Sequence, residues 1–315
     1  TVWHQVNEQT GKVHSTLQLG EPSVIAAKCK GIPIISDFRV LDVALGGQGA
    51  PLVSILDYCM YRPDPVKLNY LKIATAQNRE AEIWNQVHNQ QFVEQGKQTH
   101  TQHVWIALLN LGGIANVTII NSNPQLQNAM LSFDTGPANC LIDDAMRVLF
   151  NKDYDEDGNT AAKGQVCTEL LNEILSLPFF KQKPPRTTGR ELFSMHNVKL
   201  WIKRAQEHYK ISNEDIISTL TQVTVTSIAH GMYWHWYEPM MQLKQQFSGA
   251  QEQVDVSELL TSVIVSGGGR HNKEMMKRFG DAFAQHFHGG VLTRTQIVPN
   301  ESTGDAKEAM VRIVH

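Results

Sequence analysis

The sequence lacks the features that would place it in several large functional classes. It has no basic excess: 28 Lys and Arg against 31 Asp and Glu leave a formal net charge of -3, so there is no electrostatic footprint for nucleic acid. It has few cysteines. Cys29, Cys59, Cys140 and Cys167 are widely spaced with no Cys-x-x-Cys pair, which argues against a zinc ribbon, a redox dithiol or a disulfide framework and fits reduced thiols in the cytoplasm. No apolar run approaches the roughly 18–20 residues of a membrane helix, since the best candidate, 23–35, is broken by Lys28 and Lys30. Histidines never take the His-Glu-x-x-His spacing of a zinc enzyme, and the glycines form neither Gly-x-Gly-x-x-Gly nor a Walker loop. Internal repeats and low-complexity tracts are missing as well.

What is present describes an ordinary globular protein of some size. At 315 residues the chain exceeds the roughly 250–300 at which one core stops growing, so two core-bearing lobes with a cleft between them are expected, divided as 1–103 and 104–315. Patterning predicts a short strand over 16–20, a turn at Glu21-Pro22-Ser23, a helix carrying Val24, Ile25, Ala26 and Ala27 that Gly31 stops, and a buried strand over 32–38. Residues 61–103 are polar and read as a surface excursion with one helical stretch. Strands follow at 104–111 and 115–120, joined by Gly112-Gly113, and a third at 130–133 is ended by Gly136-Pro137. Helical spacing marks 139–149, 168–175 and 215–241. A buried strand over 262–266 then runs through glycines into a helix from about Lys273, and the whole order indicates an α/β architecture.

Four segments carry chemistry, each with a plainer alternative. Gly112-Gly113 exposes backbone N–H groups to an anion, or makes a tight hairpin. Asp134, in Ser132-Phe133-Asp134-Thr135-Gly136-Pro137, is a cleft carboxylate that can act as a general base, or a turn-initiating Asp. An aspartic protease needs two such carboxylates, and the chain has one Asp-Thr-Gly. Gly267-Gly268-Gly269 lets a ligand lie on bare backbone beside a helix N-terminus, or makes a close packing corner. Pro184-Pro185-Arg186-Thr187-Thr188-Gly189-Arg190-Glu191 has the composition of an anion grip, or of a solvated basic loop.

Taken in order, Ser36-Asp37-Phe38-Arg39, Asp42, Gly46-Gly47-Gln48-Gly49-Ala50-Pro51, Asn110-Leu111-Gly112-Gly113, Phe133-Asp134-Thr135-Gly136-Pro137, Thr188-Gly189-Arg190-Glu191 and Ser266-Gly267-Gly268-Gly269 resemble one family, the anhydro-N-acetylmuramic acid kinases. The resemblance runs from Thr1 to about Ala309, interrupted mainly over 61–103. It implies the two-lobed, actin-like ATPase fold, ribonuclease H-like in topology, with a central cleft and an N-terminal lobe incomplete in this chain. It implies a carbohydrate kinase using ATP and Mg2+. Water opens the 1,6-anhydro bridge of the sugar while ATP phosphorylates the freed O6, giving N-acetylmuramic acid 6-phosphate for peptidoglycan recycling.

The same resemblance assigns roles. Asp134 is the implied general base. Glu308, in Asp305-Ala306-Lys307-Glu308-Ala309, is a second carboxylate near the sugar, or else an ordinary first-turn helix acid. Gly112 and Gly113 belong to the second phosphate turn, and Gly267, Gly268 and Gly269 to the adenosine side. Arg39, Asp42, Gly47 and Gln48, with Arg190, shape the sugar pocket. The implied partners are an amino sugar and ATP, with no nucleic acid, no membrane and no identified protein ligand to a metal; a homodimer is allowed. Family members open with a Ser-Gly-Thr-Ser-x-Asp-Gly turn that nothing before Thr1 supplies, and Ile313-Val314-His315 ends inside an expected helix. The expectation is therefore a partial sequence that is a poor kinase by itself, with a non-catalytic sugar-binding relative as the second reading.

Overall fold

The computed structural model describes residues 2–6, 13–18, 20–30, 32–54, 57–58, 105–121, 130–239, 260–286 and 296–299. The chain opens with an antiparallel ribbon of β1 (Val2–Val6) and β2 (Val13–Gln18), followed by α1 (Pro22–Lys28) and α2 (Phe38–Ala44). Next come β3 (Trp105–Leu111), β4 (Ile114–Asn121) and β5 (Met130–Pro137), then α3 (Cys140–Phe150), α4 (Thr168–Leu175), α5 (Pro178–Lys181), α6 (Met195–Arg204) and α7 (Asn213–Met232). The described elements end with β6 (Leu260–Ser266), α8 (Lys273–His286) and β7 (Gln296–Pro299).

The main sheet has the order β5-β4-β3-β6-β7. β3, β4 and β5 form an antiparallel meander, while β6 runs parallel to β3 and β7 parallel to β6. Parallel neighbours require a long crossover, and the helices between β5 and β6 lie in that connection. An antiparallel meander with two parallel strands added on its β3 side makes the expected ribonuclease H-like arrangement.

Strand periodicity divides the sheet into two faces. Trp105, Ala107, Leu109 and Leu111 join Val117, Ile119, Phe133, Val263 and Val265 in the helix-covered core. Ile106, Leu108 and Ile120 pack on the other face with Tyr58 and Ile264. With cover on both sides, β3 is buried along its whole length, which explains its apolar run from Trp105 to Leu109. Behind the first face, α7 is buried on nearly every side and opens with a capping box between Ser212 and Asp215. Its buried hydroxyls find acceptors: Thr221 Oγ1 donates to Ile217 O at 2.9 Å, and Thr224 Oγ1 to Ala138 O at 2.8 Å. The second bond fixes α7 to the turn between β5 and α3.

The structure corrects three expectations. Residues 32–37 are irregular rather than a buried strand, with Ile32 63% and Ile35 65% exposed, because β-branched residues form strands only where a neighbouring strand accepts them. The strand at 130–133 does not stop at Gly136-Pro137 but continues through it, since β5 is an edge strand, where a sheet tolerates proline. The helix expected over 215–241 is α7 followed by a π-helical turn, Tyr233–Tyr237. The excursion over 61–103 lies outside the described residues.

Close backbone approaches set where side chains are forbidden. A Cβ on Gly164 would lie 2.1 Å from Glu214 O and 2.6 Å from Asp215 N, in the first turn of α7 that the capping box holds rigid. Gly164→Ala should therefore lower the unfolding free energy by about 2–3 kcal/mol in a urea titration. Gly280→Ala, inside α8 where nothing lies within 4 Å, should raise it by about 0.5–1 kcal/mol.

Candidate active site

Asp134 sits on β5 and is 4% exposed. Its Oδ2 accepts from Thr187 Oγ1 at 2.7 Å and from the Thr188 N–H at 2.9 Å, whereas Oδ1 accepts no hydrogen bond among the described residues. Burial pushes its pKa up to about 6. The bonds from Thr187 and Thr188 and the charges of Arg186 and Arg39 pull the other way without cancelling that desolvation.

Arg186 makes this arrangement possible. The residue is 2% exposed, and its guanidinium is ringed by carbonyl oxygens rather than bonded to a carboxylate. Nε donates to Asp134 O at 2.9 Å, Nη1 to Gln182 O at 2.9 Å and Phe180 O at 3.3 Å, and Nη2 to Thr135 O at 3.4 Å. The cation also lies over the rings of Phe179 at 4.8 Å and Phe133 at 5.4 Å. Burial lowers its pKa to about 10, which still leaves it charged at neutral pH. Burial first, then Arg186 and Lys183, lowers His235 to about 4, so the neighbouring imidazole is neutral. Backbone pairing completes the clamp, with Asp134 N–H donating to Arg186 O at 3.1 Å.

The N-terminal residues build a second cluster. Arg39 and Asp42 on α2 hold Gly49 by the peptide groups on its two sides: the Arg39 guanidinium donates to Gly49 O, and Asp42 Oδ2 accepts from Gly49 N at 2.7 Å. Gly47 leaves room for that carboxylate, since a Cβ there would lie 2.2 Å from Asp42 Oδ2. Gln48 is buried and its Oε1 accepts from Val13 N at 3.3 Å, which ties the loop to β2. Farther along, Ser54 Oγ donates to Ser132 Oγ at 2.9 Å, and Ser132 Oγ lies 3.2 Å from Thr118 Oγ1. These bonds join the N-terminal residues to the sheet face that carries Asp134.

A third cluster forms at the ends of β3 and β6. Asn139 Nδ2 donates to Leu111 O at 3.0 Å and Gly112 O at 2.8 Å, and the N–H groups of Ala138 and Cys140 donate to Gly113 O. Gly267 has φ +83°, and a Cβ there would lie 2.7 Å from the Leu111 carbonyl. A Cβ on Gly269 would lie 2.7 Å from Leu111 Cβ. Gly267 and Gly269 thus meet the demands of close packing, while Gly268 is exposed with nothing within 4 Å. The two glycine turns are thereby brought side by side.

Not every expected residue converges on Asp134. The Arg190 guanidinium is paired with the buried Asp144 of α3 at 2.7 Å and donates to Cys140 O at 3.3 Å. Glu308 lies outside the described residues. Sequence reasoning named Arg186 and Thr187 only within the anion-gripping loop over 184–191 and passed over Ser54 and Asn139 as site residues. The first two were legible as part of an Arg-Thr-Thr loop, but nothing local marks Ser54 or Asn139.

A family model described as anhydro-N-acetylmuramic acid kinase matches residues 1–79 and 92–310. The chain belongs to this family. An anhydro-N-acetylmuramic acid kinase of Francisella tularensis subsp. novicida is 36% identical over 310 residues, covering 98% of this chain and 64% of that protein. The kinase of the same name from Bacillus thuringiensis subsp. konkukian is 34% identical over 277 residues, covering 88% of this chain and 56% of its own. The chain thus spans less than two thirds of the length of these kinase relatives. Among solved structures, the activator of the 2-hydroxyisocaproyl-CoA dehydratase from Clostridium difficile with bound ADPNP aligns at a TM-score of 0.31 and 16% identity, covering 65% of this chain and 57% of its own.

The raised pKa of Asp134 has a consequence for stability in this kinase-family chain. An unfolded Asp titrates near 3.9. Its folded value lies near 6, so its contribution to stability is fully present below the unfolded value and is lost as pH rises through the folded one. Asn at this position keeps an oxygen for Thr187 and Thr188 without the buried charge. Asp134→Asn should therefore be more stable than the unsubstituted protein at pH 8, by up to about 3 kcal/mol, with the difference vanishing towards pH 4 in paired thermal melts.

Proposed function

We propose that the protein carrying this chain is an ATP-dependent kinase that opens and phosphorylates 1,6-anhydro-N-acetylmuramic acid, and that Asp134 is its general base. The observation that carries this reading is the state of Asp134: a buried carboxylate with a pKa of about 6, anchored through Oδ2 and with no hydrogen bond on Oδ1 among the described residues. A base of that strength is ionised at neutral pH and still able to take a proton. Family membership supplies the substrate class.

In the proposed reaction, Asp134 Oδ1 accepts a proton from water as the water oxygen bonds to the anomeric carbon. The bond from that carbon to O6 breaks, O6 bonds to the γ-phosphorus, and the bond from phosphorus to the β,γ-bridging oxygen breaks to release ADP. The products are N-acetylmuramic acid 6-phosphate, ADP and one proton. The Arg39, Asp42, Gly47 and Gln48 cluster would shape the sugar pocket, with Arg190 and Glu308 as further contacts. The paired turns would receive the nucleotide, with its phosphates at Gly112-Gly113 and its adenosine side along Gly267-Gly268-Gly269, where Gly268 offers bare backbone. Mg2+ would enter on those phosphates and neutralise part of their charge, its usual mode in phosphoryl transfer. Cytoplasmic placement and a division into lobes at 1–103 and 104–315 belong to the same reading.

The test is turnover of the anhydro sugar with ATP. Asp134→Asn should lower kcat by at least about a hundredfold while sugar binding persists. For the unsubstituted protein, kcat/KM should fall below about pH 6 as Asp134 gains its proton. Near-normal sugar phosphorylation by the Asn variant would refute the assignment.

A further inference from the structure

The face of α7 that meets β5 is built for close contact. A Cβ on Gly136 of β5 would lie 3.0 Å from Ser227 Oγ, and a Cβ on Gly231 would lie 3.3 Å from both Phe133 Cε2 and Arg186 Nη2. Four residues beyond Gly231, on the same helical face, stands His235. It belongs to the π-helical turn Tyr233–Tyr237, a distortion that helices often keep at functional positions. Its ring meets the Phe133 ring edge to face at 5.7 Å, and its Nε2 lies 3.4 Å from Arg186 Nη1.

That contact fixes the state of the ring. A guanidinium nitrogen only donates, so Nε2 is the acceptor and the imidazole proton sits on Nδ1. A charged imidazole could not take this part, and burial beside Arg186 and Lys183 keeps the ring neutral. The other hydrogen-bond partners of the guanidinium are backbone carbonyls, those of Asp134, Thr135, Phe179, Phe180 and Gln182. His235 is therefore its one side-chain acceptor among the described residues.

We infer that His235 is a positioning residue: by accepting from Arg186 it holds the guanidinium against backbone oxygens and off the Asp134 carboxylate. This rests on the reading of Asp134 as the base. The N–H that His235 accepts has only long alternatives, Phe180 O at 3.3 Å and Phe179 O at 3.4 Å. Removing the acceptor leaves a buried cation short of a partner, and the anion whose charge it feels is Asp134. The guanidinium then turns towards that carboxylate, and a closer positive charge makes it a weaker base. Arg39, the other cation acting on Asp134, is held on α2 by its bond to Gly49 O.

Carbon-13 NMR of the whole protein, labelled at the aspartate carboxyl carbons, follows the proton on Asp134 directly, its signal assigned by its loss in Asp134→Asn. In the unsubstituted protein that signal should titrate near about pH 6. In His235→Leu the midpoint should fall by about 1 pH unit or more, and the acid limb of kcat/KM should move with it. In His235→Gln, whose side-chain oxygen can accept the same N–H, the midpoint should stay in place. Nitrogen-15 spectra of the unsubstituted protein at neutral pH should show His235 as the Nδ1–H tautomer, and this measurement carries the test if the Leu variant fails to fold. An unchanged midpoint in the Leu variant, equal shifts in the Leu and Gln variants, or a proton on Nε2 would each overturn the inference. Failure of the sugar-kinase reading shows up separately, as no sugar-dependent ADP release by the unsubstituted protein, while the carbon-13 titration still decides what His235 does to Asp134.

Discussion

The Arg186 guanidinium, buried and surrounded by carbonyl oxygens, is the interaction on which the candidate site depends. A buried cation placed directly against a carboxylate would form an ion pair and drive the acid's pKa far down, which would disable it as a base. Here the cation bonds to the backbone oxygen of Asp134 and leaves the carboxylate to two uncharged donors, Thr187 and Thr188. Its charge acts on Asp134 only through space. The carboxylate thus stays ionisable near neutrality, and the loop that tunes it is locked by the same five-donor group.

Much of this was legible in the sequence, but only where the determinants are local. The β3–β4 hairpin, the position of Asp134 on a strand and the glycine run after β6 follow from periodicity and turn chemistry. The basicity of Asp134 does not, because it depends on residues more than 50 positions away that become neighbours through an edge-strand contact. The misplaced strand at 32–38 has the same origin: Ile32, Ile34 and Ile35 carry strand propensity, and the fold gives them no strand to pair with. Arg190 shows the converse. Its composition suits an anion, and the anion it meets in this structure is Asp144 of its own chain.

The three clusters of the site depend on the sheet in different ways. Asp134 belongs to a strand, and its position follows the ladder. Asn139 spans two carbonyls at the end of β3, and the close packing of Gly267 and Gly269 on Leu111 brings the second glycine turn beside the first. Arg39 and Asp42 hold Gly49, Gln48 ties the same loop to β2, and a chain of hydroxyls through Ser54 links the neighbouring segment to the sheet.

β5 ends the main sheet on one side, and an open sheet edge offers N–H and C=O groups to any extended chain that arrives. At Asp134 both groups are already taken, the N–H by the Arg186 carbonyl and the C=O by the Arg186 side chain. The loop that sets the chemistry of the carboxylate is thus also the guard of the sheet's edge. Loosening it would expose a strand able to recruit other copies of the chain, so self-association and a changed setting of the Asp134 carboxylate should arise together from damage at this one corner.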